Sequence, residues 1–163
     1  DPAEVIMPAL DELSLGPADV EIDLGADVPE MVADPALLQR VVVNLLSNAL
    51  RYEPAGGRVR LATSSFADRV EIRVIDHGPG IPEDRRDDVM VPFQRLGDAD
   101  STVGLGLGLA LSKGFVEGMD GTLALEDTPG GGLTMVISLP RVGHAAAGHD
   151  DVDHDDIEEG SAR

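Results

Sequence analysis

Asp34-Pro35-Ala36-Leu37-Leu38-Gln39-Arg40-Val41-Val42-Val43-Asn44-Leu45-Leu46-Ser47-Asn48-Ala49-Leu50-Arg51-Tyr52 holds the clearest helix signal in the chain and also its least ordinary polar pattern. Asp34 is a natural N-cap and Pro35 suits the first helical position, so a helix is expected from there to about Leu50. Placed at about 100° per residue, Val41, Leu45, Leu38, Ala49, Val42, Leu46, Leu50 and Val43 cover about 200° of the circumference, which predicts a largely buried helix. The remaining arc carries Arg40, Asn44, Ser47, Asn48 and Arg51, with Asn44, Asn48 and Arg51 in one line at i, i+4 and i+7. A solvated helix face normally shows Glu and Lys, and Asn is a poor helix former. Two asparagines one turn apart are either satisfied by neighbouring backbone or line a pocket, and the helix alone leaves both readings open.

Outward from this helix the pattern is a mixture of short strands and helices. Glu4 to Leu13 has helical spacing, with Pro8 obscuring where that helix begins, and Val20 to Leu24 alternates apolar and acidic residues as a half-buried strand does. After the helix, a Pro54-Ala55-Gly56-Gly57 turn leads to alternating runs at Arg58 to Thr63 and Val70 to Ile75, separated by Ala67-Asp68, which reads as a hairpin. Its second strand runs into Asp76-His77-Gly78-Pro79-Gly80-Ile81-Pro82, where Asp76 either shapes a sharp turn or presents a carboxylate at the sheet edge. From Glu83 to Val103 periodicity is lost, apart from room for a short helix. A connection of that length is the usual form of a lid or binding loop, and Phe93, a rare aromatic here, suits an anchor within it.

Next comes Ser101-Thr102-Val103-Gly104-Leu105-Gly106-Leu107-Gly108-Leu109-Ala110-Leu111-Ser112, three alternate glycines opening a helix expected from Leu105 to about Val116 with Gly118 or Gly121 near its stop. Glycine lets backbone approach a ligand closely, and the free N–H groups of a first helical turn favour an anion such as phosphate; the same run also suits close helix packing. Strands at Thr122 to Glu126 and Leu133 to Leu139 follow, joined by Thr128-Pro129-Gly130-Gly131-Gly132. The expectation is an α+β fold, a two-layer α/β sandwich whose mixed, mostly antiparallel sheet of about five strands is covered on one face by about three helices.

Composition narrows what such a domain can bind. The 163 residues carry a formal charge of −19, which repels nucleic acid and anionic membrane and means that a polyphosphate would need a metal ion and local backbone dipoles. With no cysteine there is no disulfide, thiolate catalysis or Cys-ligated zinc. No signal peptide or membrane-spanning stretch is evident. Residues 1–141 read as one folded domain and 142–163 as a disordered acidic tail. His144, His149 and His154 stand in that tail among aspartates, with nothing there to fix a metal geometry. The only lysine is Lys113, and the glycine spacing fits neither a P-loop nor a Rossmann fingerprint. The strand lysine and His-Arg-Asp loop of eukaryotic-type kinases are missing too.

The order of these parts resembles the ATP-binding domain of sensor histidine kinases, within the wider group of gyrase B, Hsp90 chaperones and MutL. Four boxes carry the resemblance, over roughly residues 20 to 140: Asn44-x-x-x-Asn48-Ala49-x-Arg51-Tyr52, then Asp76-x-Gly78-x-Gly80, then Phe93 with Arg95, then Gly104-Leu105-Gly106-Leu107-Gly108-Leu109. The resemblance implies that Asn48 holds Mg²⁺, that Arg51 contacts phosphate and that Tyr52 lies beside the nucleoside. It gives Asp76 the adenine amino group, with Gly78, Gly80 and Ile81 on the same loop. Phe93 would dock an ATP lid placed between sheet and last helix, Arg95 would approach the terminal phosphate, and the backbone from Thr102 through Leu109 would cradle the phosphates. Asn44 stands where ATP-hydrolysing relatives carry a Glu that activates water; an amide cannot act as that base, so Asn44 and Arg95 belong to a kinase rather than an ATPase reading. Pro92-Phe93-Gln94-Arg95-Leu96-Gly97-Asp98 and Asp127-Thr128-Pro129-Gly130-Gly131-Gly132-Leu133-Thr134 resemble the potassium-responsive sensor kinases of actinobacteria.

One departure is large: no histidine here has the helical setting of a phospho-acceptor. The resemblance therefore implies a catalytic domain from a longer, membrane-anchored, homodimeric sensor. Its histidine-bearing dimerisation hairpin is expected before Asp1, a response regulator acts downstream, and this domain is expected to be cytoplasmic and monomeric by itself. A nucleotide-sensing module without phosphotransfer and an ATPase-driven clamp are the alternatives.

Overall fold

A computed structural model describes residues 1–91 and 108–143. Helix α1 (Ala3–Glu12) runs straight through the exposed Pro8, burying Val5, Ile6, Ala9 and Leu10. Strand β1 (Val20–Leu24) lies at the edge of the sheet, where Val20 is buried and Ile22 is 42% exposed. It is thus less covered than its alternation predicts, because an edge strand has a neighbour on one side alone.

Helix α2 (Pro35–Tyr52) begins where its cap signals place it: the Asp34 carboxylate accepts from the N–H groups of Ala36 and Leu37 at 2.9 and 3.0 Å. Leu38, Val41, Val42, Leu45, Leu46 and Ala49 are fully buried, and each burial of a Val or Leu side chain is worth about 1.5–3 kcal/mol. The helix ends one turn beyond Asn48, at Tyr52, so its last turn carries Arg51.

Strands β2 (Val59–Phe66) and β3 (Arg69–Ile75) form the expected hairpin, closed by Ala67 and Asp68 with Ala67 in the left-handed region at φ 54°. The stretch that loses periodicity opens with a 3₁₀ turn at Glu83–Arg85 and helix α3 (Arg86–Val89). Arg86 fastens this segment to the sheet, donating to the carbonyls of Ile81 and Leu125 and to the Asp127 carboxylate. Helix α4 (Gly108–Glu117) is followed by β4 (Thr122–Asp127) and β5 (Leu133–Pro140).

The sheet order is β1-β2-β3-β5-β4. β1 and β2 are parallel, as the intervening α2 crossover allows, and every other pair is antiparallel. Helices α1, α2 and α4 share one apolar core with the sheet, whose inward positions include Leu61, Ile72, Val74, Met135 and Ile137. The opposite face is polar, with Arg73 bridging Glu71 and Glu126, and Arg60 pairing with Asp23. This is the α+β two-layer arrangement expected from the sequence. Because β3 is the central strand, its C-terminal end delivers Asp76 between the last turns of α2 and the start of β5. Among the described residues no helix is long and apolar enough to cross a membrane.

The cap at Asp34 is open to a direct check. Asp34→Ala is expected to lower stability by about 1 kcal/mol, read as a lower urea midpoint with an unchanged slope.

Candidate functional site

Asp76 is 1% exposed, and its two carboxylate oxygens have different fates. Oδ1 accepts from the N–H groups of Gly78 at 2.9 Å and Leu133 at 3.1 Å. Oδ2 is equally buried and has no hydrogen-bond partner among the described residues. Burial pushes the carboxyl above its ordinary pKa; the two backbone donors oppose the shift, and the nearby Glu53 adds to it. Leaving a buried acceptor unmade costs about 1–3 kcal/mol, so a fold that keeps one is holding a place for a donor.

The position of Asp76 depends on glycines across the sheet. Gly132, at φ 118°, passes so close that a Cβ there would lie 2.0 Å from the Asp76 carbonyl oxygen. A Cβ on Gly80, at φ 70°, would meet the Gly132 carbonyl oxygen at 2.9 Å. The β4–β5 turn is thus the rear support of the Asp76 loop, joined to it by Asp76 N–H donating to the Leu133 carbonyl at 2.9 Å. Thr128 and Thr134, both buried, share a hydroxyl contact of 2.9 Å inside the same turn. Beside it an open cavity of about 420 Å³ is lined by Gly80, Ile81, Pro82, Asp127, Thr128 and Gly132, without any residue of α2.

The polar line of α2 meets this loop and α4. Asn44 Nδ2 donates to Ser112 Oγ at 2.8 Å, and a Cβ on Gly108 would sit 2.6 Å from Asn44 Oδ1. Asn48 Nδ2 lies 3.8 Å from Met135 Sδ, a weak contact. Among the described residues, each asparagine side chain ties α2 to another element and neither bonds to neighbouring backbone. Ser47, by contrast, is satisfied inside the helix, its hydroxyl donating to the Val43 carbonyl at 2.8 Å. Tyr52 is half exposed, and its backbone carbonyl packs against Gly78, where a Cβ would come within 2.6 Å. Arg51 is exposed in the same last turn, while Ile81 and Leu109 are half-buried against the core.

Asn44, Asn48, Tyr52, Asp76, Gly78, Gly80 and Gly108 are therefore linked through direct contacts among α2, the Asp76 loop, α4 and β5. Phe93, Arg95, Thr102, Gly104, Leu105, Gly106 and Leu107 lie outside the described residues. Sequence reasoning passed over Ser112 and Glu53. Ser112 had a usable signal, a hydroxyl four positions after Gly108 and so on the same face of the helix. Glu53 had none, because its partner is His77, whose N–H donates to Glu53 Oε2 at 2.8 Å from 24 positions away.

Comparison with known proteins agrees with this fold. The pattern of the family described as "Histidine kinase-, DNA gyrase B-, and HSP90-like ATPase" matches residues 33–143. The "Sensor protein KdpD" of Rathayibacter rathayi is 64% identical over 140 residues, 86% of this chain but 16% of that relative, so the chain spans a small part of its length. A solved "Mycobacterial sensor histidine kinase MprB" superposes with a TM-score of 0.75 at 33% identity, covering 86% of this chain and 96% of that one. A full-length ShkA solved in complex with AMPPNP gives a TM-score of 0.73 at 25% identity, over 90% of this chain and 31% of the other. With its five-stranded sheet, its asparagine-lined α2 and the half-satisfied Asp76, the chain belongs to the histidine kinase-, DNA gyrase B- and HSP90-like ATPase family, as a domain of the sensor histidine kinase kind.

Proposed function

We propose that this domain binds Mg²⁺·ATP and serves as the phosphoryl donor to a histidine on a separate dimerisation domain of a larger, homodimeric, membrane-anchored sensor kinase. In that reading the domain lies on the cytoplasmic side and is monomeric by itself. The sensor takes part in potassium or osmotic signalling and acts through a response regulator. The kinship with a KdpD sensor supports the potassium assignment. The single observation that carries the nucleotide reading is the buried, unpartnered Oδ2 of Asp76.

An acceptor in that position suits the exocyclic amino group of adenine, whereas guanine would set a carbonyl against it and leave both oxygens unpaired. Asn48 offers one neutral carbonyl oxygen, a hard donor that fits Mg²⁺, which completes its shell from phosphate oxygens and water. When bound, the ion offsets phosphate charge. Arg51 and Arg95 add positive charge for the same purpose, since phosphoryl transfer is mostly positioning and electrostatics. Asn44, fixed by Ser112, has no basic atom with which to activate water. The glycine run from Gly104 to Gly108 supplies backbone N–H donors for the phosphates and leads into the N-terminus of α4. Thr102 and Leu105 to Leu109 frame that contact, Phe93 docks the lid, and Tyr52, Gly78, Gly80 and Ile81 border the nucleoside. That the similar full-length ShkA was solved in complex with AMPPNP supports a nucleotide ligand.

Calorimetric titration of ATP with and without Mg²⁺ tests the site. Asp76→Asn should weaken ATP by at least about tenfold, the value of one lost bond to a buried charged acceptor, and unchanged affinity would sink the adenine assignment. The same variant separates binding from folding. Asp76 has a folded pKa above its unfolded one, so the stability that its neutral form confers is present at low pH and is lost as pH rises through the raised pKa. Asp76→Asn should therefore unfold at an equal or higher urea midpoint than wild type near neutrality, with the gap narrowing as pH falls into the carboxylate range. Supplying the dimerisation hairpin in trans with labelled ATP should yield an acid-labile phosphohistidine. Binding without transfer would favour a nucleotide-sensing module.

A further inference from the structure

Glu53 is the C-cap residue of α2, yet its side chain is 6% exposed, an unusual degree of burial for a carboxylate outside a known binding role. Its Oε2 accepts from the backbone N–H of His77 at 2.8 Å, and its Oε1 lies 3.4 Å from His77 Nδ1. The neighbouring turn closes over it, for a Cβ on Gly57 would stand 2.1 Å from Oε1. The peptide held in this way is the one that joins Asp76 to His77. Asp76 is anchored from the other side by Leu133 and from below by the approach of Gly132. Without Glu53 that peptide has no partner on its α2 side among the described hydrogen bonds.

We propose that Glu53 is a positioning residue for the nucleobase: its carboxylate clamps the Asp76–His77 peptide to the end of α2 and so keeps Asp76 Oδ2 aimed at an adenine amino donor. The inference rests on the reading that Asp76 receives adenine. Its effect is confined to the base end of the nucleotide, since the phosphate end is served by α2 residues upstream and by the glycine run. Gln in place of Glu53 keeps an acceptor oxygen for the His77 N–H and adds an amide that can face Nδ1, whereas Ala removes the clamp.

The experiment measures ADP and inorganic tripolyphosphate binding by calorimetry for wild type, Glu53→Ala, Glu53→Gln and Asp76→Asn, with thermal unfolding of each. Glu53→Ala should weaken ADP about tenfold while leaving tripolyphosphate unchanged, and Glu53→Gln should return ADP to within about threefold of wild type. ADP binding by Glu53→Ala at wild-type strength overturns the inference. Equal losses of ADP and tripolyphosphate overturn it as well, because they mark general damage to the fold. If Asp76→Asn keeps full ADP affinity, the adenine reading itself falls, whatever Glu53 does.

Discussion

A carboxylate buried with one oxygen satisfied and the other left bare is the constraint around which this domain is arranged. Holding Asp76 in that state requires backbone donors from two directions, a strand end at the centre of the sheet, and a glycine turn able to pass within van der Waals distance of its carbonyl. Each requirement uses a different part of the chain, so the loop after β3 is where the hairpin, the β4–β5 turn and the end of α2 converge. The cost of the orphaned oxygen is of the order of a hydrogen bond, small enough for the packed core beneath to sustain.

Helix α2 serves two purposes, and its composition shows the compromise. Six of its side chains are fully or nearly fully buried in the core, which holds the helix in place despite two asparagines of poor propensity. Those asparagines are then free to link elements instead of serving the helix: Asn44 reaches Ser112 on α4, and Asn48 leans on Met135 of β5. A rigid apolar face thereby positions a polar one, and residues far apart in sequence are brought within hydrogen-bond reach. In the proposed kinase reading, the amide at position 44 positions but cannot deprotonate.

The polar outer face of the sheet is a different matter. Its arginines and carboxylates pair along and across strands at partly exposed positions, where ion pairs add little to stability and chiefly keep the face soluble. With so negative a chain, placing several of its few cations there ties them to local acids. Arg86 shapes structure instead, since its three contacts hold the segment after Ile81 against β4.

Much of the architecture was legible from local patterns. The period of α2, its Asp34-Pro35 start and the alternation of β2, β3 and β5 are written in neighbouring residues, and they reappear with ends displaced by at most three positions. The four spaced boxes likewise marked Asn44, Asn48, Asp76 and the glycines as a set, because motif spacing is itself a sequence property. What the chain alone could not decide was which strands are central and which are edges, and so Ile22 proved exposed although its alternation read as half-buried. Nor could it decide the partners: Ser112 for Asn44, Leu133 for Asp76, Glu53 for His77. Local periodicity follows from backbone geometry within a few residues, whereas the unsatisfied oxygen of Asp76 and the clamp behind it exist only once segments distant in sequence share one desolvated space.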